Sequence, residues 1–298
     1  MIVGDGEFRY EVEKNWPTKI PEYWTLGQCA DIDVDADDNI WVFSRNLHPV
    51  TKWSNDGEFL GSWGNFGYQK GEYRVAHGLN IDPDGYIWLT DNQTHQVTKH
   101  KPDGECVLEL GEFGFTKSTL STDGSQGLPF NMPTGSSVAP DGKIFVSDGY
   151  GNRKVHRFSK TGEYELSWGE PGTGDGQFAI VHKLGVSKDS RVFVCDRENN
   201  RIQIFSTEGE LLDIWTNGIA GPHDVYFQEE YVFVVEHGGG NNGISIWNLD
   251  GELITRWRGI PEVCEAAHGC ALDSKGNLYI AEIGFGAVGQ RFRKLNKI

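Results

Sequence analysis

Three histidines of this 298-residue chain occupy one place in a recurring phrase: His77 in VAHGLNIDPDG, His182 in IVHKLGVSKDS and His268 in AAHGCALDSKG. A lone histidine at a strand start more often satisfies local hydrogen bonds or lines a wet channel. Three that converge make a different object. Zinc in catalytic sites commonly takes three protein ligands and keeps a position open for water or substrate. A fourth histidine, His223 in GPHDVYF, stands at the same place in a neighbouring copy, where a fourth ligand would distort the arrangement. It reads as a substrate contact or a support for the ligands.

Other side chains could complete a site. Arg45 ends the second apolar run of the first copy, where most copies carry Asp or Glu. Arg197 follows Asp196 in DREN, and Tyr150 follows Asp148 in SDGYGN. Arginine's planar fork suits a carboxylate, and tyrosine can move a proton beside a metal. On an exposed loop these arginines would read as surface ion pairs; at a histidine-lined mouth a substrate contact is the better reading.

The elements that must position these residues are legible as a repeat. An apolar run, a tight polar turn and a second apolar run recur six times, from Ile32 to Arg45, Leu79 to Asp91, Ser136 to Asp148, Leu184 to Asp196, Val225 to His237 and Cys270 to Glu282. A third run follows, and then a Gly-Glu turn opens an outer run at Gly57, Gly104, Gly162, Gly209 and Gly251. Four short antiparallel strands per copy make a propeller blade. The spacing therefore predicts an all-β, six-bladed β-propeller of NHL type, one domain over residues 1–298. The sixth copy lacks its Gly-Glu strand, and a matching one lies at the other end, Asp5 to Val12. The N-terminal strand is expected to close the last blade and leave no open inner edge. The innermost strand starts at Ala30, His77, Thr134, His182, His223 and His268, around the channel. Alternate blades stand roughly 120° apart, so His77, His182 and His268 can meet on the axis. The stretch Glu112 to Asn131 is too long for a blade turn and is expected to shape a binding face.

Composition excludes several classes. A formal net charge of −16 disfavours nucleic acid, which selects basic surfaces. No apolar run approaches the roughly 18 residues of a membrane span. Five cysteines without metal-type spacing, and no visible signal peptide, are expected of reduced thiols in a cytoplasmic protein.

At VAHGLNIDPDGYIWLTDNQTHQV, MPTGSSVAPDGKIFVSDGYGNRKV and GQFAIVHKLGVSKDSRVFVCDRENNRIQIF the chain resembles the peptidyl-α-hydroxyglycine α-amidating lyases, with weaker similarity over nearly the whole length. The resemblance implies zinc on His77, His182 and His268, a catalytic tyrosine at Tyr150 and substrate arginines at Arg45 and Arg197. It implies a structural calcium on backbone oxygens matching Ile32 and Leu79. An aspartate that completes the calcium set is Gly269 here; Asp31 or Asp224, at the same place in other blades, could substitute. The family's two disulfides match Asn131 with Gly151 and Phe193 with Ile204, so both are absent.

The expectation is a zinc-dependent lyase that cleaves an N-acyl-α-hydroxyglycine-like carbinolamide, small or peptide-like, to an amide and glyoxylate. A free phenol ionises near pH 10, so a tyrosine base needs cationic neighbours, which the arginines and the metal could supply. The alternatives are a metal-dependent lactonase on the same propeller and a non-enzymatic NHL scaffold that binds protein.

Overall fold

The computed structural model describes residues 1–116, 128–240, 242–284 and 292–298. Residues 117–127 of the expected binding-face loop, and Arg291 of the last blade, lie outside the described residues. Six antiparallel sheets form the propeller. Blade one is built from Gln28–Val34, Ile40–Arg45, Val50–Trp53 and Phe59–Trp63, innermost strand first. Blades two to five repeat this order, starting at Ala76–Ile81, Gly135–Val138, Val181–Val186 and Pro222–Gln228. No helix among the described residues is long and apolar enough to cross a membrane.

The sixth blade runs Ala267–Leu272, Leu278–Glu282, Phe292–Lys297 and then Tyr10–Val12 from the other end of the chain. Tyr10 pairs with Lys297, Glu11 with Asn296 and Val12 with Leu295. The closing strand is shorter than Asp5 to Val12. A turn through Gly6 sends Phe8 N back to the Asp5 carbonyl at 3.0 Å, and Ile2–Val3 adds a fifth strand outside it.

The strands read as continuous apolar runs because both faces of each blade are covered. Six buried clusters lie between neighbouring blades. Phe193, Trp215, Val234 and Trp247 join blades four and five, for example, and Trp41, Phe43, Leu79 and Leu89 join blades one and two. The N-terminal segment takes part in two of them. Val3, Phe8 and Tyr10 pack with Phe233, Ile246 and Trp257, while Trp16 packs with Tyr279 and Phe292.

The acidic residue that ends strand two builds the blade. Asp91 accepts from Arg74 N and Val75 N with one oxygen, and from Gln93 N and Thr94 N with the other. In blade five this residue is Glu236, which takes Ala220 N at 2.8 Å; His237 lies one residue beyond the strand. The sequence pattern places His237 at the strand end because a glutamate there breaks the Asp signal.

Candidate active site

His77, His182 and His268 come together on the channel axis. All three are buried, and one nitrogen from each falls within 4.8 Å of the other two. Each ring is held from the next blade: His77 Nδ1 by the Thr134 carbonyl at 2.6 Å, His182 Nδ1 by the His223 carbonyl at 2.7 Å and His268 Nδ1 by the Ala30 carbonyl at 2.6 Å. A carbonyl only accepts, so each Nδ1 carries the proton and each Nε2 presents a lone pair to the axis. Burial, reinforced by neighbouring positive groups, holds all three well below the ordinary imidazole value, and they are neutral.

Tyr150 stands over this ring. Its hydroxyl lies 3.0 Å from His77 Nε2 and 3.1 Å from His182 Nε2, and Arg197 Nη1 donates to it at 3.3 Å. One hydroxyl proton can serve only one of the two imidazoles, and His268 Nε2 is buried without a hydrogen-bond partner. Tyr150 reaches its place because Gly149 lets the loop after Ile144–Asp148 press on blade four: a Cβ at Gly149 would stand 1.8 Å from the Val181 carbonyl oxygen. Arg153 Nη1 staples the loop, donating to the carbonyls of Gly149 and Tyr150 at 3.2 and 3.0 Å.

The two arginines differ. Arg197 already pairs with Glu198 at 2.8 Å. Arg45 is half-buried; its Nε donates to the Ala76 carbonyl at 3.0 Å and its Nη1 to Gln28 Oε1 at 2.9 Å. Burial lowers its pKa, and no carboxylate among the described residues lies within ion-pair distance of it. His223 is buried against His182, ring centroids 4.3 Å apart, but it is not one of the three converging residues. Its Nδ1 is held by the Gly221 carbonyl, and burial lowers its pKa to about 3.

No family model matches the chain. It is 32% identical over 229 residues to the peptidylglycine alpha-amidating monooxygenase of Rattus norvegicus, which covers 68% of this chain and 23% of that enzyme. It is 30% identical over 241 residues to human NHL repeat-containing protein 3, covering 76% and 66%. Against the peptidyl-alpha-hydroxyglycine alpha-amidating lyase 1 of Drosophila melanogaster it is 34% identical over 106 residues, covering 32% and 19%. The chain belongs to the NHL-repeat propeller family, with amidating lyases among its relatives. It spans less than two thirds of the length of each of these relatives. A streptogramin B lyase structure superposes with TM-score 0.62 at 16% identity, covering 96% of both chains. A gluconolactonase from Xanthomonas campestris gives TM-score 0.62 at 16% identity, covering 91% and 88%. These two show the shared fold.

The donor set fits a metal ion. Three neutral imidazole lone pairs face one point with at most one proton among them, and each ring is oriented through its other nitrogen, as metal-ligating histidines are. The calcium set fits less well. A Cβ at Gly269, where a carboxylate would be needed, would stand 2.0 Å from Asp31 Oδ1 and 3.2 Å from Lys183 Nζ. The family's disulfide positions are neighbours here too. Gly151 N donates to the Asn131 carbonyl at 2.9 Å, and Phe193 pairs with Ile204 across the sheet, yet none of these four positions carries a cysteine.

Sequence reasoning missed Lys183, Arg153, Gln28 and Glu198. Only Lys183 had a signal: a lysine inside an otherwise apolar inner strand, VHKLGV.

The buried histidines make stability depend on pH. Their folded pKa values lie below the value of about 6.5 that they have when unfolded, so the unfolded chain binds protons first as pH falls. Their contribution is complete above about pH 6.5 and is lost as pH falls, for His223 down to about 3. The melting temperature of chelator-treated protein is therefore expected to fall steadily between about pH 7 and pH 5. A melting temperature that is flat or rising over that window contradicts the assignment of neutral buried imidazoles.

Proposed function

We propose that the protein is a zinc-dependent lyase that cleaves N-acyl-α-hydroxyglycine-like carbinolamides to an amide and glyoxylate. The observation that carries this reading is the convergence of three neutral, buried imidazoles beneath a tyrosine that contacts two of them. Similarity to amidating lyases supplies the substrate class.

His77, His182 and His268 would hold the ion. When bound, zinc supplies Lewis acidity to the substrate oxygen and lowers the pKa of its hydroxyl. Arg45, a half-buried cation with no ion-pair partner among the described residues, receives the substrate carboxylate and fixes the C–N bond relative to Tyr150. Arg197 Nη1 donates to the Tyr150 oxygen and holds it beside the histidine ring. Tyr150 then takes the hydroxyl proton. The C–O bond becomes the aldehyde of glyoxylate, the C–N bond breaks, and the departing amide nitrogen takes that proton from Tyr150. No oxidant enters, and the atoms balance.

The acyl group has a place to lie. Tyr23, Trp24, Leu47, His48 and Phe66 wall a cavity of about 350 Å³ that Arg45 also lines. An aromatic or long aliphatic acyl group suits these walls.

The test is metal content joined to turnover. One zinc per chain is expected, lost in His77→Ala, His182→Ala and His268→Ala but only weakened in His223→Ala. Zinc-loaded protein should release glyoxylate from α-hydroxyhippurate or from an N-acyl-hydroxyglycine with a larger acyl group. Metal-loaded protein that leaves both intact but opens a lactone would move the reading to a lactonase.

A further inference from the structure

One level below the histidine ring, the residues that follow the ring positions are Asp31, Gly78, Gly135, Lys183, Asp224 and Gly269. Three are charged, three are glycine, and the two sets are packed together. Lys183 reaches across the channel from blade four and is 3% exposed. Its Nζ donates to Asp31 Oδ1 at 2.7 Å, to Asp224 Oδ2 at 2.9 Å and to the His268 carbonyl at 3.4 Å. An ammonium has three protons, and all three are placed. The carboxylates are satisfied as well: Asp31 accepts from Leu79 N at 2.6 Å and Ile32 N at 3.1 Å, and Asp224 from Val225 N at 2.9 Å. The glycines make room. A Cβ at Gly135 would stand 3.2 Å from Lys183 Cγ, and one at Gly269 would collide with Asp31.

The place of this cluster gives it reach. Asp31 follows Ala30 and Asp224 follows His223, two of the three residues whose carbonyls orient the converging histidines. The third contact of the ammonium is the backbone of His268 itself. Lys183 also follows His182 directly in sequence. Below the cluster opens a cavity of about 390 Å³, lined by Lys183, Asp31 and Asp224 but by none of the histidines. The charged cluster thus separates the histidine ring from this cavity.

We propose that Lys183 is a positioning residue for the metal ligands, a built-in cation standing where a divalent ion would otherwise tie the blades, so that the ring needs one metal and not two. The first half of this rests on reading the histidines as metal ligands; the second does not. Calcium takes six to eight oxygens. To bind here it would have to displace an ammonium already paired with two buried carboxylates, at a ring whose position 269 offers no side chain.

Two measurements decide it. Wild-type protein stripped of divalent ions should show no change in melting temperature on adding millimolar calcium, because the site is already filled by the lysine. A saturable rise of several degrees would overturn the built-in cation, and this needs no variant. Lys183→Met keeps an unbranched side chain, one atom shorter, and removes the charge. In a competition with a chromogenic chelator its zinc affinity should fall about 10–100-fold, the usual effect of losing a group that orients metal ligands. At saturating zinc its KM should stay near wild type, because Lys183 does not touch substrate. Folded Lys183→Met with wild-type zinc affinity would overturn the positioning role. If Lys183→Met does not fold, Asp224→Asn, which removes one of the ammonium's partners, is expected to show the same weakening. Wild-type protein that takes up no zinc would sink the metal reading itself, while the calcium titration would still decide the nature of the cluster.

Discussion

Tyr150→Phe is expected to lower kcat by about 10²–10⁴-fold, the usual loss when a positioned acid–base group is removed, with zinc content and KM close to wild type. The phenyl ring keeps its edge-to-face packing on His77 and His182, with centroids 5.1 and 5.7 Å away, so only the oxygen is lost. That oxygen contacts two imidazoles and Arg197 together. Arg45→Ala should act on the other parameter. It removes a charge-assisted bond of about 1.5–3 kcal/mol, which corresponds to a KM raised roughly 10–100-fold. Glyoxylate release followed under saturating and limiting substrate separates the two. Tyr150→Phe turning over at the wild-type rate on any active substrate eliminates Tyr150 as the proton acceptor.

A chain beginning at Lys14 is expected to lose the native propeller. The deletion removes the strand paired with Phe292–Lys297 and three buried side chains, Val3, Phe8 and Tyr10. At about 1.5–3 kcal/mol for each, the loss rivals the 5–15 kcal/mol of a typical domain. It also exposes the backbone edge of Phe292–Lys297, so aggregation should accompany melting. Phe8→Ala is the milder version. Phe8 packs edge-on against Tyr231 at 4.7 Å and Phe233 at 5.9 Å, so its loss should cost about 3–5 kcal/mol. Wild-type melting by the Lys14 variant would show that the closing strand contributes nothing to the ring.

Much of the fold and the site is legible in the residues because a propeller repeats. Six copies of one phrase align six strand starts, and that alignment alone puts His77, His182 and His268 on alternate blades. The Tyr150 contact is harder to foresee, since it depends on Gly149 passing within touch of Val181, a distance no spacing rule supplies. Arg45 and Arg197 look alike as rim arginines, and only Glu198 beside Arg197 tells them apart. The closing strand is visible as a Gly-Glu phrase, but the return of Ile2–Val3 outside it depends on a local turn. Lys183 shows in the sequence only as a lysine inside the inner strand VHKLGV, beside the more telling His182. The charge makes sense only when Asp31 and Asp224 arrive from other blades.

The histidine ring draws on every blade. Blades two, four and six give the imidazoles, and blades three, five and one give the carbonyls that aim them. An ion gripped there would act as a clasp on the whole circle, for a gap between any two blades would pull a ligand or its acceptor away. Occupancy and ring closure would then be two readings of a single equilibrium: each rise in free ion above its dissociation constant would hold the circle shut by RT ln(1 + [L]/Kd). Damage far from the axis, at a blade seam on the rim, would register first as a leaking metal.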